Sequence, residues 1–325
     1  MHRASRWVAL LGALFALAAA PAAAQPGSGK PVRIVVSSAA GSTPDVVSRL
    51  LAQKMADSWN GSPVVVDNRP GALGAIAVEN VMRSPADGST LMFTDSAVWG
   101  ITPLLSDKPP FDTLRDLQPV ARVLIAPTFL VVSTKVPVSN VQELVAYAKK
   151  NPGKLTYGSP GNGSMHQLAA ELFKELTQTD ILHVPYKGAA QVGQAIMAGE
   201  IDIAFMGYTG AAPAIDKGAA RIYGVTNEQR LARMNTIPTM QELGVKGMVI
   251  SASMGFFAPS GLPREVNAKL YEAIAAALQN PEVVAKFDQL GLVAALQAPD
   301  AFTASIKGDL AQYAPLIKRA HIRVE

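Results

Sequence analysis

Arg33-Ile34-Val35-Val36, followed by Ser37-Ser38-Ala39-Ala40-Gly41-Ser42-Thr43-Pro44-Asp45, is the stretch that decides the fold. Three consecutive β-branched apolar residues read as a buried strand. The residues after them start a helix: Ser42 or Thr43 can cap it, Pro44 suits its first position, and Asp45 lies in its first turn. Val47, Leu50, Leu51 and Met55 then fall on one helical face. Strand, loop and amphipathic helix in that order are the opening of an α/β layer.

The same alternation continues along the chain. Val64-Val65-Val66, Leu91-Met92-Phe93, Phe129-Leu130-Val131-Val132, Lys154-Leu155-Thr156-Tyr157, Ile201-Asp202-Ile203-Ala204-Phe205 and Arg221-Ile222-Tyr223-Gly224-Val225 read as further buried strands, largely parallel. Leu168, Leu172, Phe173 and Leu176 mark an intervening helix. Beyond Pro263 the pattern turns helical, over 266–278, 281–290 and 299–319, with Pro263, Pro281 and Pro299 where helices begin. Crossings at Ala126-Pro127-Thr128 and in the Ser-rich 249–255 stretch suggest an inserted middle segment. The expected division is a first lobe built from 25–127 and 251–325, with a second lobe, 128–250, inserted between its halves.

Residues 1–24 read as a secretory signal peptide: Arg3 and Arg6, an apolar run over 8–20, then Ala22-Ala23-Ala24 before a cleavage site at Gln25. No later stretch approaches the roughly 18 apolar residues of a membrane span. The chain has no cysteine, so neither a lipid anchor at a new N-terminus nor disulfides are expected, and the fold must rest on its core. Removing Arg3 and Arg6 from 29 basic residues leaves 27 against 25 acidic. With no basic block and few aromatics, nucleic acid is not an expected partner.

A second junction, Gly158-Ser159-Pro160-Gly161-Asn162-Gly163-Ser164-Met165-His166-Gln167, resembles the first, and Ser164 with Gln167 forms a capping-box pattern. Both loops set backbone N–H groups beside a helix N-terminus, which attracts anions without an arginine. Ligands in open α/β sheets settle at the carboxyl ends of strands, where these loops lie. The competing reading is that any such turn uses Gly and Ser for geometry alone; one loop in each lobe favours a shared anion site. Thr94-Asp95-Ser96-Ala97-Val98-Trp99 is a third junction. Trp99 and Tyr208 each have two readings, stacking on a ligand or half-buried packing.

Catalytic constellations are missing. There is no G-x-S-x-G elbow and no H-E-x-x-H, and four histidines without cysteine give no zinc pattern. Gly161-x-Gly163-x-x-His166 lacks the third glycine of a dinucleotide loop. His166 reads as a capping or supporting group before a general base. No cofactor and no metal are expected.

Pro31-Val32-Arg33-Ile34-Val35-Val36 with Gly41, Asp45 and Arg49-Leu50, then Val64-Val65-Val66-Asp67-Asn68-Arg69-Pro70-Gly71-Ala72, resembles the Bug (TctC-like) solute receptors of tripartite tricarboxylate transporters. Ala86-Asp87-Gly88-Ser89-Thr90-Leu91, His183-Val184-Pro185-Tyr186-Lys187-Gly188 and Gly255-Phe256-Phe257-Ala258-Pro259-Ser260-Gly261 extend the likeness over the rest of the chain. The resemblance implies a two-lobed Venus-flytrap fold of the type II periplasmic binding proteins, each lobe a mostly parallel sheet flanked by helices. It implies a periplasmic monomer that captures a small carboxylate and docks on membrane permease subunits. Carried over by position, ligand contacts fall to Gly41, Ser42 and Asp45 with Ser96 nearby, and to Gly161, Asn162, Gly163 and Ser164. Ser38, Thr43, Trp99 and Tyr208 join them from the reading of the loops.

Two departures touch ligand-facing positions. The first loop lacks the family's prolines and second glycine, and an Asp or Asn after a second-lobe strand is replaced around Gly207. A sensor partner that presents ligand to a signalling kinase is the alternative function. An exported hydrolase using Ser164 or Asp45 is the third.

Overall fold

Four of the five residues of β1 (Val32–Val36) are buried, because its sheet is covered on both faces. Ile34 and Val36 pack with Val47 and Leu51 of α1 (Thr43–Ser58), whereas Val35 packs with Ala77, Val78 and Val81 of α2 (Ala75–Met82). The computed structural model describes residues 31–59 and 61–323; the signal-peptide expectation for 1–24 lies outside them. No helix among the described residues is long and apolar enough to cross a membrane.

The chain continues through β2 (Val64–Asn68), β3 (Thr90–Asp95), the short α3 (Thr113–Asp116) and β4 (Leu117–Ala126). It then crosses to a second sheet. There it builds β5 (Phe129–Ser133), α4 (Val141–Lys150), β6 (Thr156–Ser159), α5 (Met165–Thr177), β7 (Leu182–Pro185), α6 (Ala189–Ala198), β8 (Ile203–Met206), α7 (Tyr208–Asp216) and β9 (Ala220–Val225). It returns as β10 (Ala252–Pro259) and ends with α8 (Arg264–Leu278), α9 (Pro281–Gln289), β11 (Val293–Gln297) and α10 (Pro299–Arg319).

The first sheet has the order β11-β4-β10-β3-β1-β2, the second β7-β6-β8-β5-β9. Both are mixed. The strands of the βαβ units, β2-β1-β3 and β7-β6-β8, are parallel as expected. The strands next to the crossings run antiparallel: β10 on β3 and β4, and β5 on β8 and β9. The chain re-enters each sheet at the same end by which it leaves it, Ala252 beside Ala126 and Phe129 beside Val225, so antiparallel pairing follows from the crossing itself.

The two crossings are tied together. Thr226 N donates to Thr128 O at 2.9 Å, Thr226 Oγ1 donates to Thr128 O at 3.0 Å and to Ile250 O, and Ile250 N donates back to Thr226 O at 3.0 Å. Helix α10 also spans both lobes. Phe302 and Ile306 pack against Trp99 and Phe257 of the first, while Leu316 and Ile317 join the core of the second. Pro315 stands at the changeover, where it removes one helical hydrogen bond.

Candidate ligand-binding cleft

The first loop is strapped down by its own neighbours. Gly41, at φ +82°, donates its N–H to Asp45 Oδ2 at 2.9 Å, and Arg49 pairs with Asp45 Oδ1 at 3.0 Å. Asn68 Nδ2 donates to Ser38 O at 3.0 Å, and Ser37 Oγ meets Thr94 Oγ1 at 2.7 Å. Burial pushes the Asp45 carboxyl up, but Arg49, the Gly41 N–H and Asn68 together hold it below its ordinary value. Asp45 therefore shapes the loop, and neither it nor Gly41 lines the cleft. Ser42 occupies the N-cap position of α1, yet its side chain caps nothing: Ser42 Oγ is buried with no partner among the described residues. Ser38, Ser42 and Thr43 do line the cleft.

The second loop is held from below. Ser164 Oγ accepts the Gln167 N–H at 3.2 Å, and Gln167 Oε1 accepts the Gly163 N–H at 2.8 Å. This is the expected capping box shifted by one residue, because Ser164 N already donates to Gly161 O at 3.3 Å. Beneath it, Ser159 Oγ meets His183 Nε2 at 2.6 Å, and Gln167 Nε2 lies 3.3 Å from His183 Nδ1. Tyr157 stacks on the His183 ring at 4.7 Å and donates its hydroxyl to Glu171 Oε1 at 2.5 Å. Burial holds His183 below its ordinary value, against the pull of Glu171. A neutral imidazole between Ser159 and Gln167 fixes the loop that carries Gly161, Asn162, Gly163 and Ser164.

These loops face each other across a cavity of about 1010 Å³ between the sheets, continuous with a smaller one of about 260 Å³ whose wall shares Ser38, Asp95 and Ser164. Ser38, Ser42, Thr43, Ser164 and Tyr208 line the large cavity; Gly161, Asn162 and Gly163 line the small one. Two further helix starts reach the large cavity: α6 through Gly188, Ala189 and Ala190, and α7 through Gly207 and Tyr208. Reading of the sequence missed α6 here; Gly188 ahead of an alanine-rich segment was the available signal. Among the described residues the lining holds no lysine and no arginine. Four helix N-termini with no lysine or arginine beside them form an anion-attracting surface.

Ser96 and Trp99 are not in the cleft. Ser96 is fully buried and accepts the Ser253 N–H at 3.1 Å, joining β3 to β10. Trp99 is also fully buried, 5.3 Å from each of Phe257 and Phe302, with its indole N–H donated to Asp309 at 3.2 Å. Of its two readings, packing is the one the structure supports. The helical turn after β3 swings both side chains inward and leaves Asp95 on the cavity wall instead. Tyr208 packs edge-on against Phe129 at 6.2 Å and still borders the cavity. His166 lines the cavity with its pKa pushed down to about 4 by burial, so it is neutral near pH 7.

Comparison with known proteins agrees with this geometry. Residues 47–322 match the family described as "Tripartite tricarboxylate transporter family receptor". The chain is 30% identical to the protein BugT of Bordetella pertussis over 99% of each chain. Among solved structures it resembles R. palustris Rpa4515 with adipate (29% identity, TM-score 0.78, 90% of this chain and 98% of that one). It also resembles MatC from Rhodopseudomonas palustris with bound malate (27%, 0.75, 89% and 99%).

Proposed function

Because the chain belongs to the tripartite tricarboxylate transporter receptor family of periplasmic solute-binding proteins, we propose that it captures a small carboxylate between its lobes and delivers it to permease subunits in the membrane. The observation that carries this reading is the convergence of α1, α5, α6 and α7, start first, on one cavity whose lining, among the described residues, has no lysine or arginine. Such a surface holds an ionised carboxylate through N–H and hydroxyl donors. Ser42 Oγ, buried and unpartnered, is one such donor from the first lobe, and Ser164 faces it from the second. The adipate and malate bound by the two similar structures fit that chemistry.

In this reading, residues 25–127 and 251–325 form one lobe and 128–250 the other, with the Thr128–Thr226–Ile250 knot near the hinge. Closure is a population shift driven by contacts made only when both loops reach the ligand. The protein works as a periplasmic monomer after loss of its signal peptide. No chemistry is assigned to it: the Ser164 hydroxyl caps Gln167, and the Asp45 carboxylate is consumed by Gly41 and Arg49. Native mass spectrometry of purified protein, before and after unfolding, should release an organic acid, and calorimetry should then show that acid rebinding. Rebinding only of neutral or purely cationic compounds would overturn the reading.

A further inference from the structure

Asp95 stands where the two anion-facing loops meet. It ends β3, and with Ser38, Ala97, Pro160 and Ser164 it lines both the large and the small cavity. Its Oδ1 accepts the Ala97 N–H at 2.9 Å, and it makes no ion pair among the described residues. Among the described residues the cavity supplies no cation to balance it, since lysine and arginine are missing from the lining and burial keeps His166 neutral near pH 7. A purely anionic ligand closing into this cleft would bring like charges together in a space emptied of water. A ligand that carries its own cation beside its carboxylate removes that conflict.

We propose that Asp95 is the specificity-determining residue of the cleft, receiving an ammonium group carried next to the ligand carboxylate, so that the ligands are amino acids. This rests on the carboxylate-receptor reading above and narrows it. The rest of the wall chooses the side chain. Met165, Met197, Met206, Met254, Leu290 and Leu292 surround the cavity, and methionine adapts its shape to apolar groups. The favoured ligand is an amino acid with an apolar body, and its hydroxy-acid analogue is a weaker substitute that offers a donor without charge.

The test is calorimetry near neutral pH on matched acids: leucine against 4-methylpentanoate, phenylalanine against 3-phenylpropanoate, and glutamate against glutarate. Wild type should bind the amino member of the apolar pairs roughly ten- to hundredfold more tightly, as expected for a charge-assisted hydrogen bond. Asp95→Asn keeps an oxygen for the Ala97 N–H. It should collapse that ratio and strengthen binding of the deaminated acids, a reversal that damage to the fold would not produce. Should the Asn variant fail to fold, Asp95→Glu, which keeps the charge but displaces it, should lower the ratio. Equal or tighter binding of the deaminated acids by wild type, or a ratio unchanged in Asp95→Asn, overturns the inference while leaving the carboxylate receptor standing. If no acid of any pair binds while the co-purified acid does, the inference falls and the carboxylate receptor stands.

Discussion

Gly163 of the second lobe faces Leu105 of the first: a Cβ on Gly163 would stand 2.9 Å from Leu105 Cδ1. Glycine is required there twice, once by φ +77° and once by the approach of the opposite wall. The close neighbour in that direction is protein, with Leu73 Cδ1 next at 3.9 Å. Bulk at this position therefore acts on the contact between lobes.

Gly163→Ala is expected to cost about 1–2 kcal/mol of stability from the left-handed backbone alone. Ligand affinity should fall as well, because the lobes can no longer meet. Adding Leu105→Ala should restore the affinity but not the stability. Urea titration and calorimetry on the single and double variants check both halves; affinity that stays low in the double variant would place the defect at the ligand and not at the wall.

Ser164→Ala removes the acceptor of the Gln167 N–H, and loss of such a cap costs about 1 kcal/mol. If the same hydroxyl serves the ligand carboxylate, binding should weaken roughly ten- to hundredfold as well. A lower melting temperature with unchanged affinity would make Ser164 a cap and nothing more.

The buried histidines set a pH window with a definite sign. His166 is pushed from its ordinary 6.5 down to about 4, and His183 is also lowered, in both cases chiefly by burial. Between those values the unfolded chain binds protons that the folded chain does not, so stability rises with pH there and is lost as pH falls from 6.5 towards 4. Asp95 and Asp309, whose carboxyls burial raises, work in the opposite sense, since the folded state takes their protons first. The histidine share is therefore read by difference: His166→Gln should flatten the decline of the urea midpoint over this window. An unchanged decline would show that His166 does not contribute to it.

Binding should survive a chelator. No group of three or more His, Asp or Glu side chains among the described residues could hold a metal ion, and the proposed donors are N–H and O–H groups. Abolition of acid binding by EDTA would contradict the helix-terminus account.

Much of this was legible in the sequence because the informative signals are local. The proline-started helix expected over 299–319 is α10, Pro299–Arg319, and the strand–loop–helix stretch from Arg33 to Met55 folds as read. The edge strand β7 was not legible, since Leu182-His183-Val184-Pro185 shows no apolar run; β11 does carry one, Val293-Ala294-Ala295-Leu296, but it follows directly on a helix and does not read as a strand. Trp99 and Asp95 show the deeper limit. Which of them faces the cleft depends on Phe257 and Phe302, brought to Trp99 from more than 150 residues away. Gly41 reads as a loop residue and Asp45 as part of the first helical turn, where both lie, but their hydrogen bond to each other, which keeps them off the cavity wall, has no signature in composition.

Thr226 gives the test of the joint between the lobes. Its hydroxyl serves the carbonyls of Thr128 and Ile250, one in each crossing, and all of it is buried. Valine matches the shape but removes the donor, leaving Ile250 O without that partner at a cost of about 1–3 kcal/mol. Thr226 N still holds Thr128 O, so the crossings should stay paired and ligand affinity should remain close to wild type. Thr226→Ser, which keeps the hydroxyl, should recover most of the stability. If Thr226→Val instead melts like wild type but binds ligand poorly, the hydroxyl sets the open–closed balance and does not hold the joint together; urea titration alongside calorimetry separates the two.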